Sequence, residues 1–201
     1  MMVADMWFDP SCPYSYLTSR WLLEVSRVRP VEVRWHVMSL SVLNEGRDED
    51  PEGDTEGYLW VPARVAAAVG GEHGQEALGK FYTALWTTGP GDRPGDPRTA
   101  LQAAGLPPGL AEAGLGHEHD GELRASTAEA LRAIGGDHVG TPIVAVSGGA
   151  ETVAFFGPVI SKVPTGEDAG RLWDGTLLVA STPGFHELKG GPPRPPEPYG
   201  T

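Results

Sequence analysis

The stretch Trp7-Phe8-Asp9-Pro10-Ser11-Cys12-Pro13-Tyr14-Ser15-Tyr16 carries the single cysteine of a 201-residue chain. Ahead of it, residues 3–8 form a short apolar run that reads as a strand. Behind it, Tyr14, Leu17, Trp21, Val25 and Val28 recur at spacings of three and four, the pattern of one helical face. Pro13 then falls at the first helical position, where a missing N–H costs nothing, and Cys12 becomes the N-cap. A sulfur at that place meets free backbone N–H groups and the positive end of the helix dipole, both of which favour thiolate over thiol. A cysteine that merely filled a core would need none of this arrangement, so the stretch reads as a reactive-thiol site.

Working outward, Pro30 cannot continue the helix, and Arg27 and Arg29 suit its negative end. Residues 31–38 alternate and are rich in β-formers, with Val33, Trp35 and Val37 on one face and Arg34, His36 and Met38 on the other. Strand, helix and strand at this spacing make a βαβ unit, whose crossover implies parallel strands. Residues 40–45 read as a loop at the carboxyl end of the second strand, where open α/β sheets bind ligands. Asn44 is therefore a candidate contact, with the shaping of its own turn as the alternative. The acidic run 47–56 reads as a solvated loop.

From about residue 58 to 136 the pattern turns helical. Expected helices cover 61–69, 75–86, a segment capped by Asp96 and opened by Pro97, a short piece after Pro108, and 121–134 closed by Gly135 and Gly136. Strands resume at 141–146 and 153–156, joined as an antiparallel hairpin through Ser147-Gly148-Gly149. Thr165 with Asp168 marks the start of a last helix, packed through Leu172, Trp173 and Leu177. The expected division is a sheet domain from 1–57 and 137–189, an inserted helical subdomain from 58–136, and a proline-rich tail from 190–201, extended or disordered.

The bulk numbers exclude several classes. A formal net charge of −12, from 27 acidic and 15 basic residues, opposes nonspecific binding to nucleic acid or anionic membrane. No apolar run approaches the ~20 residues of a spanning helix. The first residues lack a basic region, which argues against a cleaved secretory signal, and one cysteine cannot form an intramolecular disulfide. Together these features point to the cytoplasm. No glycine-rich phosphate loop follows a strand, which disfavours a nucleotide enzyme. His117-Glu118-His119-Asp120 has metal-like letters, but its i,i+2 histidines lie in an acidic, glycine-flanked stretch that reads as solvated, so no metal is expected. His138 reads as a surface loop residue and His36 as a locally packed or hydrogen-bonded strand residue.

The element order, with Cys12-Pro13 opening the first helix and Val139-Gly140-Thr141-Pro142 entering the third strand, is that of an α/β thioredoxin-like fold with an inserted α-helical subdomain. The segments 7–16, 36–40, 139–142 and 155–158 together resemble the actinobacterial branch of the DsbA-like superfamily, to which the mycothiol-dependent nitroreductases belong. The resemblance covers nearly the whole chain. It implies a cytosolic oxidoreductase that spends a low-molecular-weight thiol, mycothiol in particular, on a small electrophilic or disulfide substrate, and it leaves a homodimer open. It also implies that Pro142 is cis and lies against Cys12, while Gly140 and Thr141 offer backbone to the substrate. Dithiol members carry Cys-Pro-aromatic-Cys; here Ser15 stands at the fourth position. Cys12 must then be freed by a second external thiol. Ser15 is placed either to donate to the thiolate or to bond backbone or water. Pro13 and Tyr14 line the same site, with Tyr14 either against a bound thiol or in structural packing. Asp9 either caps the loop or raises the pKa of the thiol. The related kappa-class glutathione transferases and 2-hydroxychromene-2-carboxylate isomerases use serine where Cys12 stands, and commonly an acidic residue where Pro158 follows Phe156-Gly157. Both differences favour redox chemistry, with transferase or isomerase activity, or a non-catalytic thiol-binding module, as alternatives.

Overall fold

The computed structural model describes residues 1–47, 50–149 and 151–198. Asp48 and Glu49 of the acidic run, Ala150 beside the hairpin turn and residues 199–201 of the tail lie outside the described residues.

β1 (Met2–Phe8), α1 (Pro13–Val28) and β2 (Val31–Val37) form the βαβ unit, and β1 and β2 are parallel in register from Met2 opposite Val31 to Phe8 opposite Val37. β3 (Ile143–Ser147) runs antiparallel to β1 on its other side, and β4 (Val153–Phe156) closes the hairpin, giving the sheet order β2-β1-β3-β4. The period of two sorts the side chains. Ala4, Met6 and Phe8 of β1, with Val144 and Val146 of β3, enter the larger core. Trp7, Ile143 and Ala145 face the opposite side, where they meet Ala130 of α5 (Asp120–Ile134).

Among the described residues, the regular elements between β2 and β3 are all helical, several of them set by local chemistry. The long helix α3 (Trp60–Thr87) is broken at Gly74, whose φ of 79° is a conformation that a residue with a Cβ rarely adopts, so the two expected helices abut there. The Asp96 side chain accepts from the Thr99 amide and opens α4 (Pro97–Ala103). A 3₁₀ segment (Pro108–Leu115) follows, and α5 ends at Gly135 in the left-handed conformation. The Gln75 side chain of α3 accepts from the Trp35 amide at 2.6 Å and donates to the Trp35 carbonyl at 2.9 Å, which satisfies the edge of β2 as a neighbouring strand would.

Two local expectations are corrected. The stretch after β2 is not all loop: Leu40–Leu43 form a helical turn, α2, because the Ser39 hydroxyl accepts from the Val42 amide. The last helix, α6 (Glu167–Ala180), is not capped by Thr165. Its N-cap is Gly166, without a side-chain cap bond, and the Gly166 amide donates to the Glu24 carboxylate of α1 at 3.3 Å. Trp173 is fully buried against Trp21, and the Trp21 indole donates to the Ala169 carbonyl, so α6 is locked on α1. Arg29, at the end of α1, pairs with Glu167 and Asp174 across the same contact.

Candidate active site

Cys12 is the N-cap of α1. Its backbone is extended (φ −79°, ψ 116°), and its sulfur accepts from the Ser15 amide at 3.5 Å, one of the donors a helix start leaves open. The preceding loop is tied into a turn, with the Cys12 amide donating to the Asp9 carbonyl at 3.1 Å. From the other side comes the loop that enters β3. The Thr141-Pro142 peptide is cis, and the Cys12 thiol donates to the Thr141 carbonyl at 3.7 Å. The structure therefore brings together Cys12, Pro13, Ser15, Thr141 and Pro142, which lie 130 positions apart at their extremes.

The Thr141 side chain binds this junction, which sequence reasoning did not find. Its hydroxyl accepts from the Asp9 amide at 3.1 Å, exchanges a hydrogen bond with the Ser15 hydroxyl at 2.9 Å and lies 3.4 Å from the Trp7 carbonyl. Ser15 is fully buried. Its amide faces the sulfur while its hydroxyl reaches Thr141, and both groups lower the pKa of the thiol. The hydroxyl thus finds a third partner, the Thr141 side chain, rather than backbone or water, and it is the Ser15 amide that meets the sulfur.

Burial nevertheless pushes the Cys12 thiol above its ordinary value, and the Asp9 carboxylate adds to that push. The Ser15 hydroxyl and amide and the Tyr14 amide pull the other way without overcoming it. The expectation of a lowered pKa from the N-cap alone is corrected here: the helix terminus is in place, but loss of water around the sulfur outweighs it. Asp9 itself is fully buried. One carboxylate oxygen accepts from the Ser11 amide at 2.7 Å and the other from the Leu40 amide at 2.8 Å, so Asp9 pins the cysteine loop to the start of α2. Burial raises its pKa to about 7, against the lowering effect of those two amides. Asp9 both caps the loop and acts on the thiol.

The helical block supplies a wall. Trp86 of α3 donates its indole N–H to the Pro10 carbonyl at 3.0 Å and stacks on Tyr16 at 5.0 Å. One turn earlier, Tyr82 stacks on Phe8 at 4.0 Å, and burial holds its phenol protonated. The signal in the sequence was the i,i+4 spacing of these two aromatics. A cleft of about 110 Å³ lies between Pro13, Tyr16 and Leu17 on α1 and Trp86, Thr87, Gly89 and Gly91 on the block. The third lining is Pro196, Glu197 and Pro198 of the tail.

Other candidates are engaged elsewhere. Asn44 follows α2 as its C-cap and donates its side-chain amide to Asp50 at 3.1 Å, the turn-shaping alternative. The Tyr14 hydroxyl donates to the Arg194 carbonyl at 3.3 Å. Gly140 precedes Thr141 in the β3 entry loop, half-buried near Leu40. His36 stacks on Trp7 at 4.7 Å and bonds Asp5 at 2.8 Å. His117 is held by Arg64 and Asp120, and His119 by Glu122. Among the described residues, no group of three or more His, Cys, Asp or Glu side chains is arranged to hold a metal.

A four-stranded mixed sheet, a Cys-Pro helix start and a cis-proline loop against the sulfur define a DsbA-like protein of the thioredoxin fold. Solved structures of that kind superpose over most of the chain. A probable DsbA oxidoreductase from Streptomyces coelicolor, SCO1869, matches with a TM-score of 0.55 at 16% identity, over 95% of each chain. The cytosolic disulfide reductase DsbM from Pseudomonas aeruginosa matches with a TM-score of 0.52 at 15% identity, over 89% of this chain and all of the other. The family model described as Rv2466c-like, mycothiol-dependent nitroreductase Rv2466c, matches residues 11–190, and the chain belongs to that family. An uncharacterized protein of Mycobacterium tuberculosis strain H37Rv, Rv2286c, is 30% identical over 200 residues, covering 94% of this chain and 82% of its own.

Proposed function

We propose that this protein is a monothiol oxidoreductase in which Cys12 exchanges with small disulfides or electrophiles at the expense of a low-molecular-weight thiol. The observation that carries the reading is the placement of the Cys12 sulfur between the Ser15 amide and the Thr141 carbonyl beside cis-Pro142. The family description supports mycothiol as that thiol. In the cycle, the Cys12 thiolate attacks one sulfur of a disulfide, forming a mixed disulfide and expelling the other half as a thiolate. A second small thiol, as thiolate, attacks the mixed disulfide at the substrate sulfur. Cys12 leaves as thiolate, and the two small thiols depart as a new disulfide.

Within this reading, Ser15 stabilises the sulfur anion as attack begins and again when it leaves. Pro13 sets the helix start, and Gly140 and Thr141 present backbone to an extended substrate. Tyr14 follows Pro13 at the helix start and holds the Arg194 carbonyl, and residues 58–136 serve as an insertion that walls the cleft. A reducing cytoplasm is the setting in which Cys12 would stay available. The presence of cysteine where serine serves the kappa-class transferases, and of Pro158 where they place an acidic residue, supports exchange over conjugation. The test is turnover of a small mixed disulfide with mycothiol. Wild-type protein is expected to turn over, and Cys12→Ala to lose at least about a hundredfold in rate. Full activity in Cys12→Ala refutes the assignment.

A further inference from the structure

Residues 192–198 read Pro-Pro-Arg-Pro-Pro-Glu-Pro. Five of the seven lack a backbone N–H, and the two that have one, Arg194 and Glu197, both use it on Ser161. The Arg194 amide donates to the Ser161 hydroxyl at 3.1 Å, and the Glu197 amide to the Ser161 carbonyl at 2.7 Å. In return the Ser161 hydroxyl lies 2.7 Å from the Arg194 carbonyl, which also accepts from the Tyr14 hydroxyl at the start of α1. The anchor is itself fixed to the active-site helix, since Thr18 donates to the Pro158 carbonyl at 2.8 Å. A proline-rich segment is already extended before it docks, so seating it loses little chain entropy. These residues therefore do not trail as a free tail. They form the third side of a cleft of about 110 Å³ that reaches the helix start at Pro13, the residue after Cys12.

We infer that residues 192–198 are a size-selecting strap. Seated on Ser161 and Tyr14, the strap lets a small thiol or disulfide reach Cys12 and keeps a polypeptide segment from lying across the site. The inference rests on the thiol-exchange reading of Cys12, and it deepens that reading by naming the segment that excludes folded or unfolded proteins from the site. It assigns specificity to a segment outside the thioredoxin core, with Ser161 and the Glu197 amide as its fastenings.

The test uses the single cysteine as its own reporter. Alkylation rates of Cys12 with N-ethylmaleimide and with maleimide on a long polyethylene glycol chain are compared in three proteins. These are the full chain, a chain ending at Lys189, and the full-length double variant Ser161→Ala/Glu197→Pro, which removes the three hydrogen bonds to Ser161, keeps only the Tyr14 contact and leaves the core and catalytic groups intact. Removing or unfastening the strap is expected to raise the bulky-to-small rate ratio by about tenfold, with the small-reagent rate unchanged within about twofold. An unchanged ratio in the double variant overturns the inference, as does an equal rise with both reagents, which would mean a general cover rather than a size filter. Alkylation needs no turnover, so a protein that shows the filter but fails with mycothiol refutes the exchange cycle alone.

Discussion

Substituting Asp9→Asn tests whether the buried carboxylate is a neutral acid or a stabilised anion. Its pKa rises from the ordinary 3.8 to about 7 in the fold. Between those values the folded protein binds more protons at this site than the unfolded chain, so stability falls as pH rises through the window, and the loss is complete above about pH 7. A rise of that size is worth about 4 kcal/mol. Of that, roughly a third is already lost at pH 5 and nearly all by pH 8, so about 3 kcal/mol separates the two conditions. Asparagine does not titrate. Its carbonyl can accept from one of the Ser11 and Leu40 amides, but its NH₂ faces the other, at a pH-independent cost of about 1–3 kcal/mol. The variant is therefore expected to match the wild type within about 1 kcal/mol at pH 5 and to exceed it by about 1–3 kcal/mol at pH 8. Urea unfolding followed by tryptophan fluorescence at the two pH values measures the gap. A gap that is the same at pH 5 and 8 would show that the two amides hold Asp9 ionised throughout, and that burial does not set its protonation. Because the Asp9 charge raises the Cys12 pKa, the same variant should also move the Cys12 alkylation profile to lower pH.

Two further substitutions probe the junction around the sulfur. Ser15→Ala removes the hydroxyl that bonds Thr141 at 2.9 Å and helps the Cys12 anion; it should cost about 1 kcal/mol of stability and shift the alkylation inflection upward. A melting temperature and pH profile equal to wild type would remove Ser15 from the site. Trp86→Phe deletes the donor to the Pro10 carbonyl and reduces the stack on Tyr16, for an expected loss of about 1–3 kcal/mol in urea unfolding. A loss below about 0.5 kcal/mol would mean that the helical wall does not hold the cysteine loop.

Much of the frame was legible from local sequence because short-range physics decides it. The strand before Cys12, Pro13 at the helix start, the apolar face from Tyr14 to Val28, and the alternation through Val33, Trp35 and Val37 specify β1, α1 and β2 without reference to distant residues. The same holds for Asp96 opening α4 and Gly135 closing α5. With Thr141-Pro142 ahead of β3, this pattern was sufficient to name the fold.

Packing across the chain decided the rest. Leu40 enters a helical turn with its amide held by Asp9, 31 positions away, and Gly166 displaces Thr165 as cap where α6 meets Glu24 of α1. The Thr141 hydroxyl acts as a hub because tertiary packing brings Trp7, Asp9 and Ser15 around it. The proline-rich stretch reads alone as a tail and becomes a strap when Ser161 supplies partners for its two N–H groups. The thiol shows the division most plainly. Sequence determined that Cys12 sits at a helix N-terminus, where the local field favours the anion. Only the tertiary structure decided how much water that sulfur keeps and how near the Asp9 charge lies, and those two quantities set the direction of its pKa.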